Sequence, residues 1–547
     1  MPKSKIKLLS NEKIALIAIL IFSFLIRVVR IEEIPPGFYP DELFVGFDAY
    51  SLIHTYRDSH GNFLPWYFRD WDSYIDPIYP YSVVPFVALF GNNVFAVRFA
   101  SVLYGTLSVL TTYLLVKEMF NKKLALLASF FLSISPWHFV LNRIAFHVNS
   151  FTFYFTLGLY FLFKGLKRNS KFLWLGSLII GASLYTYFVS RLFVPLFLLG
   201  FFFIYRDELL TFKKDLMISI FILVLVATPL IYNLIFNFSI TQKRFNDVSI
   251  FRGENLESIK DELKLPKDVP NFYLVILSFL RNYFSHLSPN FLFISGDSNL
   301  RHSLKGFGQL YIFQAILIFP ALLICLKEKK KEQLLLLLWF FLFPMPASFT
   351  YVGIPHAIRA ITGLPLFEIL SSIGTMFLVS KYQKSHYKKF WTFIFIIFLI
   401  FSVYQVVKFF YHYFFIYPNY SYWDWHTNFG HVIQYIETIK NNYEKVMITS
   451  KCCIFPQYYI AFFSNFDVRE FHAGNFSVKG VGEIGKYVYG VNIAENCYEN
   501  KGYLYVIRGY DPYRKEMDNV RLKRVEKIFF NPDETIEFIV GSGCSRS

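Results

Sequence analysis

Asp41 and Glu42 stand side by side at the end of the stretch PPGFYPDE, which begins at Pro35. Adjacent carboxylates can take a proton from a hydroxyl, hold a cation, or simply be solvated. The prolines and the glycine before them predict a constrained loop, not the middle of a helix. More acids follow in the same segment: Asp48, Asp58, Asp70, Asp72 and Asp76. Opposite charges recur further along, in four turns between apolar runs. SPWHFVLNRIAFHVN carries His138, Arg143 and His147, and YTYFVSRLFVP carries Arg191. GDSNLRHSLKGFG carries Arg301 and His302, and YVGIPHAIRAITG carries His356 and Arg359. An arginine fork binds phosphate through two parallel hydrogen bonds. Each of these cations could instead snorkel to lipid headgroups or pair with the acidic first loop. As a set they point to an anionic, lipid-linked ligand. No Walker A, GxGxxG or HExxH pattern is present, so neither soluble nucleotide chemistry nor zincin hydrolysis is supported. The acidic loop leaves a divalent cation possible, but no metal ligands are assigned.

The elements that must position these residues are apolar. The chain has 547 residues, 54% hydrophobic and 21% aromatic, with 67 Phe and only 17% charged residues. That composition belongs to polytopic membrane proteins. Apolar segments lie at about 14–30, 79–97, 98–117, 124–142, 148–164, 172–189, 191–205, 215–236, 308–326, 333–350, 361–380 and 390–411. Segment 79–97 contains Pro80, Pro85 and Gly91 and runs straight into Arg98. It is read as a re-entrant or interfacial helix, which leaves about eleven transmembrane helices. The basic clusters at Lys117–Lys123, Lys164–Lys171, Arg206–Lys214, Lys327–Lys331 and Lys381–Lys389 then fall on one side with the N-terminus, as the positive-inside rule requires. The run NFYLVILSFLRNYFSHL at 271–287 is interrupted by Arg281 and His286 and is read as an interfacial amphipathic helix. The first apolar run has four Lys before it and no small-residue cleavage site after it, so it is read as a retained helix. The net charge of +16 follows from these loops and does not imply nucleic acid.

This places the N-terminus inside, the C-terminus outside, and residues 31–97, 237–307 and 412–547 as the large extracytoplasmic parts. Residues 1–411 form the transmembrane domain. Residues 412–547 form a small α/β domain, with an amphipathic helix near 428–442 and strand-like runs at KVMITS, GYLYVIRGY, VEKIFF and TIEFIVG. Cys452, Cys453, Cys497 and Cys544 lie in this tail, where a disulfide is allowed, but the spacing does not fix its connectivity. Sequons stand at Asn237, Asn419 and Asn475.

Taken together, PPGFYPDE, GFDAYSL, SPWHFVLNRIAF, YTYFVSRLFVPL, GDSNLRHS and PHAIRA resemble the prokaryotic branch of the GT-C glycosyltransferases. These are the protein O-mannosyltransferase-like enzymes and the related aminoarabinose transferases of lipid A. The resemblance covers most of residues 12–411. It implies a sugar carried on a polyprenyl phosphate and moved, with inversion, to an acceptor hydroxyl outside the cytoplasm; the acceptor is a lipid, a glycan or a protein. It also implies that Asp41 is the catalytic base and that Glu42 is the second acid of the pair. Asp72 matches an acid later in the first loop, although WDSYIDPIYPY departs from the family pattern there. By position, Arg143, Arg191, Arg301, His302, His356 and Arg359 would contact the donor phosphate. A transporter or flippase for lipid-linked glycans is the rival reading and would place ionisable residues in mid-span; here the charges gather at the ends of the apolar runs. An oligosaccharide ligase with a longer, pyrophosphate-linked donor is the alternative within the class.

Overall fold

A computed structural model of the chain describes residues 11–70, 73–237, 243, 245–266, 268–474, 476, 480–497, 502–509, 518 and 520–546. Asp72, the sequon residue Asn475 and the N-terminal Lys3, Lys5 and Lys7 lie outside the described residues.

All twelve apolar segments are helical. The first part of the chain runs α1 (Asn11–Val28), α2 (Pro40–Thr55), β1 (Phe68–Arg69), β2 (Tyr74–Ile75), α3 (Ile78–Phe90), α4 (Val94–Met119), α5 (Lys122–Ile134) and α6 (Pro136–Leu141). It continues with α7 (Asn149–Lys167), α8 (Phe172–Ala182), α9 (Ser190–Ile204), α10 (Arg206–Thr211), α11 (Lys213–Phe236), α12 (Gly253–Glu262) and α13 (Asn271–Leu287). Then come α14 (Ile312–Glu328), α15 (Lys331–Leu342), α16 (Leu366–Lys384) and α17 (Lys388–Tyr411). Among the described residues, four helical stretches are each long and apolar enough to cross a bilayer: Val94–Met119, Lys213–Phe236, Ile361–Lys384 and Lys388–Ile416. Other segments are broken. The run 124–142 divides at Ser135–Pro136 and 172–189 ends as a helix at Ala182. The helix α3 has 13 residues, about 20 Å, too short for a hydrocarbon core of about 30 Å, in keeping with an interfacial helix. Asn93 caps α4 by accepting from the Ala96 amide, so that helix starts at Val94, earlier than the 98–117 expected.

The acid pair departs from expectation. Asp41 and Glu42 lie in the first turn of α2 and not in a loop. Pro40 at the first helical position is pre-organised for the start of a helix, and carboxylates complement the positive end of its dipole. The helix α13 is amphipathic as expected, but its inward stripe is largely polar: Leu274, Ser278, Asn282 and His286 are buried. Phe272, Tyr273, Ile276, Leu280 and Phe284 point outward.

After α17 the chain forms a mixed six-stranded sheet with two helices that matter here, α18 (Phe429–Ile439) and α19 (Pro456–Phe463). Its strands are β3 (Lys445–Thr449), β4 (Gly482–Ile484), β5 (Tyr487–Val491), β6 (Tyr503–Arg508), β7 (Val520–Phe530) and β8 (Ile536–Arg546), in the order β4-β5-β3-β6-β8-β7. The central β3 runs parallel to β5 and β6. The four runs expected as strands are strands; β4, β5 and α19 were not foreseen. Cys497 and Cys544 form a disulfide, and Cys452 and Cys453 are free thiols. One face of the sheet shares a continuous core with α2, α3, α18 and α19, and α2 docks on it through Phe44 against Tyr458 (ring centroids 4.6 Å apart) and Phe47 against Phe471 (4.7 Å). The first loop is thus clamped between the helical bundle and the sheet.

Candidate functional site

A cavity of about 730 Å³ opens where α2, the β1–β2 hairpin and four inter-helix turns meet the sheet unit. Asp41 lines it from the first turn of α2. The opposing cations are Arg191 from α9, Arg301 and His302 from the turn before α14, and His356 and Arg359 from the turn before α16. Ile454 and Phe455 close one wall from the sheet unit, directly after the two free cysteines. Turns more than a hundred residues apart in sequence therefore supply one site.

Glu42 does not line the cavity. It is fully buried, and its oxygens accept from Arg98 Nε and Nη2 (both 2.9 Å), the Ala145 amide (2.8 Å) and the Tyr39 amide (3.3 Å). Arg98 spends its remaining donors on the carbonyls of Ile31 (2.8 Å), Pro35 (3.0 Å) and Gly37. One guanidinium thus ties the residues on both sides of the PPG turn to the first turn of α2 and fixes where Asp41 stands. A Cβ on Gly37 would collide with the Trp425 carbonyl, and the residue has φ of +128°, so only glycine fits this crossing.

Arg143, expected on the donor phosphate, is elsewhere. It is fully buried and donates to the carbonyls of Ile26 and Arg27 (2.9 Å each), Arg30 (3.3 Å) and Ile34 (2.9 Å), and to Tyr413 Oη (3.1 Å). It satisfies the carbonyls that α1 leaves open at its C-terminus, where a cation also complements the dipole. His138 is likewise internal, 3.0 Å from Arg27 Nη2.

The other cations are held in distinct ways. Arg191 pairs with Asp76 through a short contact; burial raises the Asp76 carboxyl above its ordinary range, and the Arg191 guanidinium pulls it back only in part. Arg301 Cζ lies over the Tyr39 ring, 3.8 Å from its centroid, and its Nε donates to Asn299 Oδ1 (3.2 Å). Burial, and then the nearby Asp41 charge, raise the Tyr39 hydroxyl. Arg359 Nη1 donates to Thr350 Oγ1 at 3.0 Å and to the Val352 carbonyl at 2.5 Å.

His302 and His356 share a partner that sequence reasoning did not single out. Asp297 Oδ2 lies 2.8 Å from His302 Nδ1 and 3.9 Å from His356 Nδ1. One ligand atom from each of the three falls within 4.8 Å of the others, close enough to hold a divalent ion with positions left open. Asp297 also accepts from the Ala357 amide (2.8 Å), and His286 Nε2 accepts from the His356 amide (3.0 Å). Asp297, His302 and His356 thus fit a cation beside the cavity wall, which His302 and His356 line. The clue was available in GDSNLRHS, where the acid sits five residues before His302.

The family model described as dolichyl-phosphate-mannose-protein mannosyltransferase matches residues 76–232, a stretch that includes Arg191 but not Asp41. No curated protein sequence matches the chain. Among solved structures the chain is similar to ArnT from Cupriavidus metallidurans bound to undecaprenyl phosphate, with a TM-score of 0.53 and 12% identity over 96% of this chain and 97% of that one. It is also similar to the archaeal oligosaccharyltransferase AglB from Archaeoglobus fulgidus in complex with an inhibitory peptide and a dolichol-phosphate, with a TM-score of 0.52 and 13% identity over 83% of this chain. The chain spans 64% of the length of that archaeal enzyme. The fold is of the GT-C type, and the resemblance seen in the sequence motifs is borne out.

Proposed function

We propose that this integral membrane protein is a glycosyltransferase that moves a sugar from a polyprenyl-phosphate carrier to an acceptor hydroxyl on the extracytoplasmic side. The observation that carries the reading is the single cavity in which Asp41 shares space with Arg191, Arg301, His302, His356 and Arg359. ArnT, solved with undecaprenyl phosphate, has the same fold along nearly its whole length. The N-terminus and the basic loops lie in the cytoplasm, as the charge bias requires. Residues 1–411 are the catalytic membrane domain and 412–547 the extracytoplasmic α/β domain, and the cavity lies at their junction.

In this reading Asp41 takes the proton from the acceptor hydroxyl. The acceptor oxygen bonds to the sugar C1, the C1–O bond to phosphate breaks, and its electron pair leaves on the phosphate. The carrier departs as an anionic monoester, so fixed cations around it stabilise charge that develops only in the transition state. Arg301 is the main phosphate contact, because Tyr39 and Asn299 pre-set its guanidinium. Arg191 and Arg359 shape the same wall. Glu42 positions Asp41 through Arg98. Arg143 organises the end of α1 and takes no part in the chemistry. Asp72, placed with the catalytic acids by the resemblance, lies outside the described residues and is given no step. A divalent ion held by Asp297, His302 and His356 would supply further positive charge at the leaving phosphate.

The test is transfer of radiolabelled sugar from polyprenyl-phosphate donors in membranes containing wild type or Asp41→Asn at matched expression. Wild type should transfer, and the variant should lose at least a hundredfold in rate, the weight of a positioned general base. Equal rates would remove Asp41 as the base. Donor left intact by wild type while lipid crosses the bilayer would favour the flippase.

A further inference from the structure

A second groove of about 510 Å³ lies directly behind the catalytic turn. Phe38 lines this groove and Tyr39 lines the catalytic cavity, so consecutive residues form the partition. The groove's other walls come from the α3–α4 turn, α18 and α19. Its chemistry differs from that of the cavity. Among the described residues no Arg or Lys lines it, whereas Glu32 and Glu33 do, Glu33 being paired with Arg30 at 2.7 Å, so the groove offers a phosphate or another anion no cation of its own. The polar lining is instead rich in side chains that both donate and accept: Asn92, Asn93, His426, His431, Gln434 and Asn465. Asn92 donates to the Phe462 carbonyl (2.9 Å) and to Asn465 Oδ1 (3.2 Å), while its own buried carbonyl oxygen has no partner among the described residues. The half-buried Phe463 lines the apolar side of the groove, with the fully buried Tyr459 behind it. Phe463 and Tyr459 lie parallel, 6.2 Å apart with an 11° tilt. Gly430 allows this, since a Cβ there would meet the Phe463 ring.

The half-buried Phe463 ring beside carboxylates and amides matches the two sides of a pyranose, an apolar C–H face and a rim of vicinal hydroxyls. Peptide binding by strand addition needs an open sheet edge, and neither edge strand, β4 or β7, lines the groove. Contact with the catalytic side is direct. His426 lines the groove, and its ring lies 6.0 Å from Tyr39, whose face carries Arg301.

We infer that this groove is a carbohydrate subsite for the acceptor, holding uncharged or cationic sugar units of the molecule being modified. The acceptor is then a glycan or glycolipid, not a bare polypeptide. This assignment to the acceptor rests on the transfer reading above, but the binding itself can be measured without it.

The experiment is saturation-transfer NMR on the full chain in detergent, with a panel of methyl hexopyranosides, N-acetylhexosaminides, hexosaminides with a free amine, and a neutral tripeptide. At least one sugar should bind saturably to wild type and to Asp41→Asn alike. His431→Ala combined with Gln434→Ala, two exposed positions on α18, should weaken that binding at least tenfold and leave polyprenyl-phosphate binding unchanged. No saturable sugar, sugar binding indifferent to the double variant, or preference for the tripeptide would overturn the inference. Failure of the transfer reading appears elsewhere, as Asp41→Asn transferring at the wild-type rate.

Discussion

Glu42→Gln isolates the device that holds the proposed base. The substitution keeps the shape of the side chain and removes its charge. In the protein Glu42 and Arg98 are both fully buried and meet through two contacts of 2.9 Å. A glutamine leaves the guanidinium buried without a counter-charge and turns an NH₂ group toward Arg98 or the Ala145 amide. Breaking one side of a buried pair costs about 3–5 kcal/mol, out of a total stability of about 5–15 kcal/mol for a typical domain. At 1.4 kcal/mol per decade this is roughly two to three and a half decades in the folding equilibrium. The measurement is thermal unfolding in detergent alongside sugar transfer. Glu42→Gln should melt well below wild type. Its residual transfer, measured below the melt, should drop in turnover more than in donor KM, because Glu42 holds Asp41 and does not line the cavity. Adding Arg98→Met removes the stranded charge. It also frees the carbonyls of Ile31, Pro35 and Gly37, each worth about 1–3 kcal/mol when buried without a partner, so the double variant should not return to wild type. A Glu42→Gln protein within about 1 kcal/mol of wild-type stability and within about twofold of its transfer rate would refute the argument, since the pair would then contribute less than an exposed one.

Arg301→Lys should raise donor KM about tenfold, because a point ammonium cannot both lie on Tyr39 and keep the Asn299 contact; an unchanged donor KM in steady-state kinetics would count against Arg301. Protein purified without chelator and saturated with zinc or manganese should retain about one ion per chain by elemental mass spectrometry, the number one three-ligand site holds. Asp297→Asn should lose that ion, and equal metal content in the two would dismiss the site. Asp48 of α2 is pushed up to about 8 from 3.8, first by burial and then by the neighbouring Asp58 charge, with the Ser59 amide 2.8 Å away pulling the other way. Between these two values the folded chain holds a proton that the unfolded chain has released, so the contribution of Asp48 to stability is full below about pH 4 and falls as pH rises toward 8, by a few kcal/mol. Asp48→Asn should flatten that slope in melting curves from pH 5 to 8, and an unchanged slope would show that another group sets it.

Hydropathy alone determined the class and the helical segments, because burying 20-odd apolar residues in lipid is a local property of the chain; the interfacial reading of α3 needed its prolines and glycine and the charge bias of the later loops. Charge bias in the loops determined the proposed orientation, and the proline-glycine turn beside the first apolar run, together with the family resemblance, drew attention to Asp41. Four of the six strands were legible from their alternation. What the sequence left open depended on partners distant along the chain. Arg143 and Arg191 read alike, each a cation in a turn between apolar runs, yet one is consumed by the open carbonyls of α1 and the other faces the cavity. Asp297 became a possible metal ligand only when the turn bearing His356 folded against it. The pairing of Cys497 with Cys544 needed the last strand in register with its neighbours. The second groove exists only because the sheet unit closes on the catalytic turn. Helix packing decides which turns meet, and a cation or thiol carries no mark in its own sequence window of what that packing will set against it.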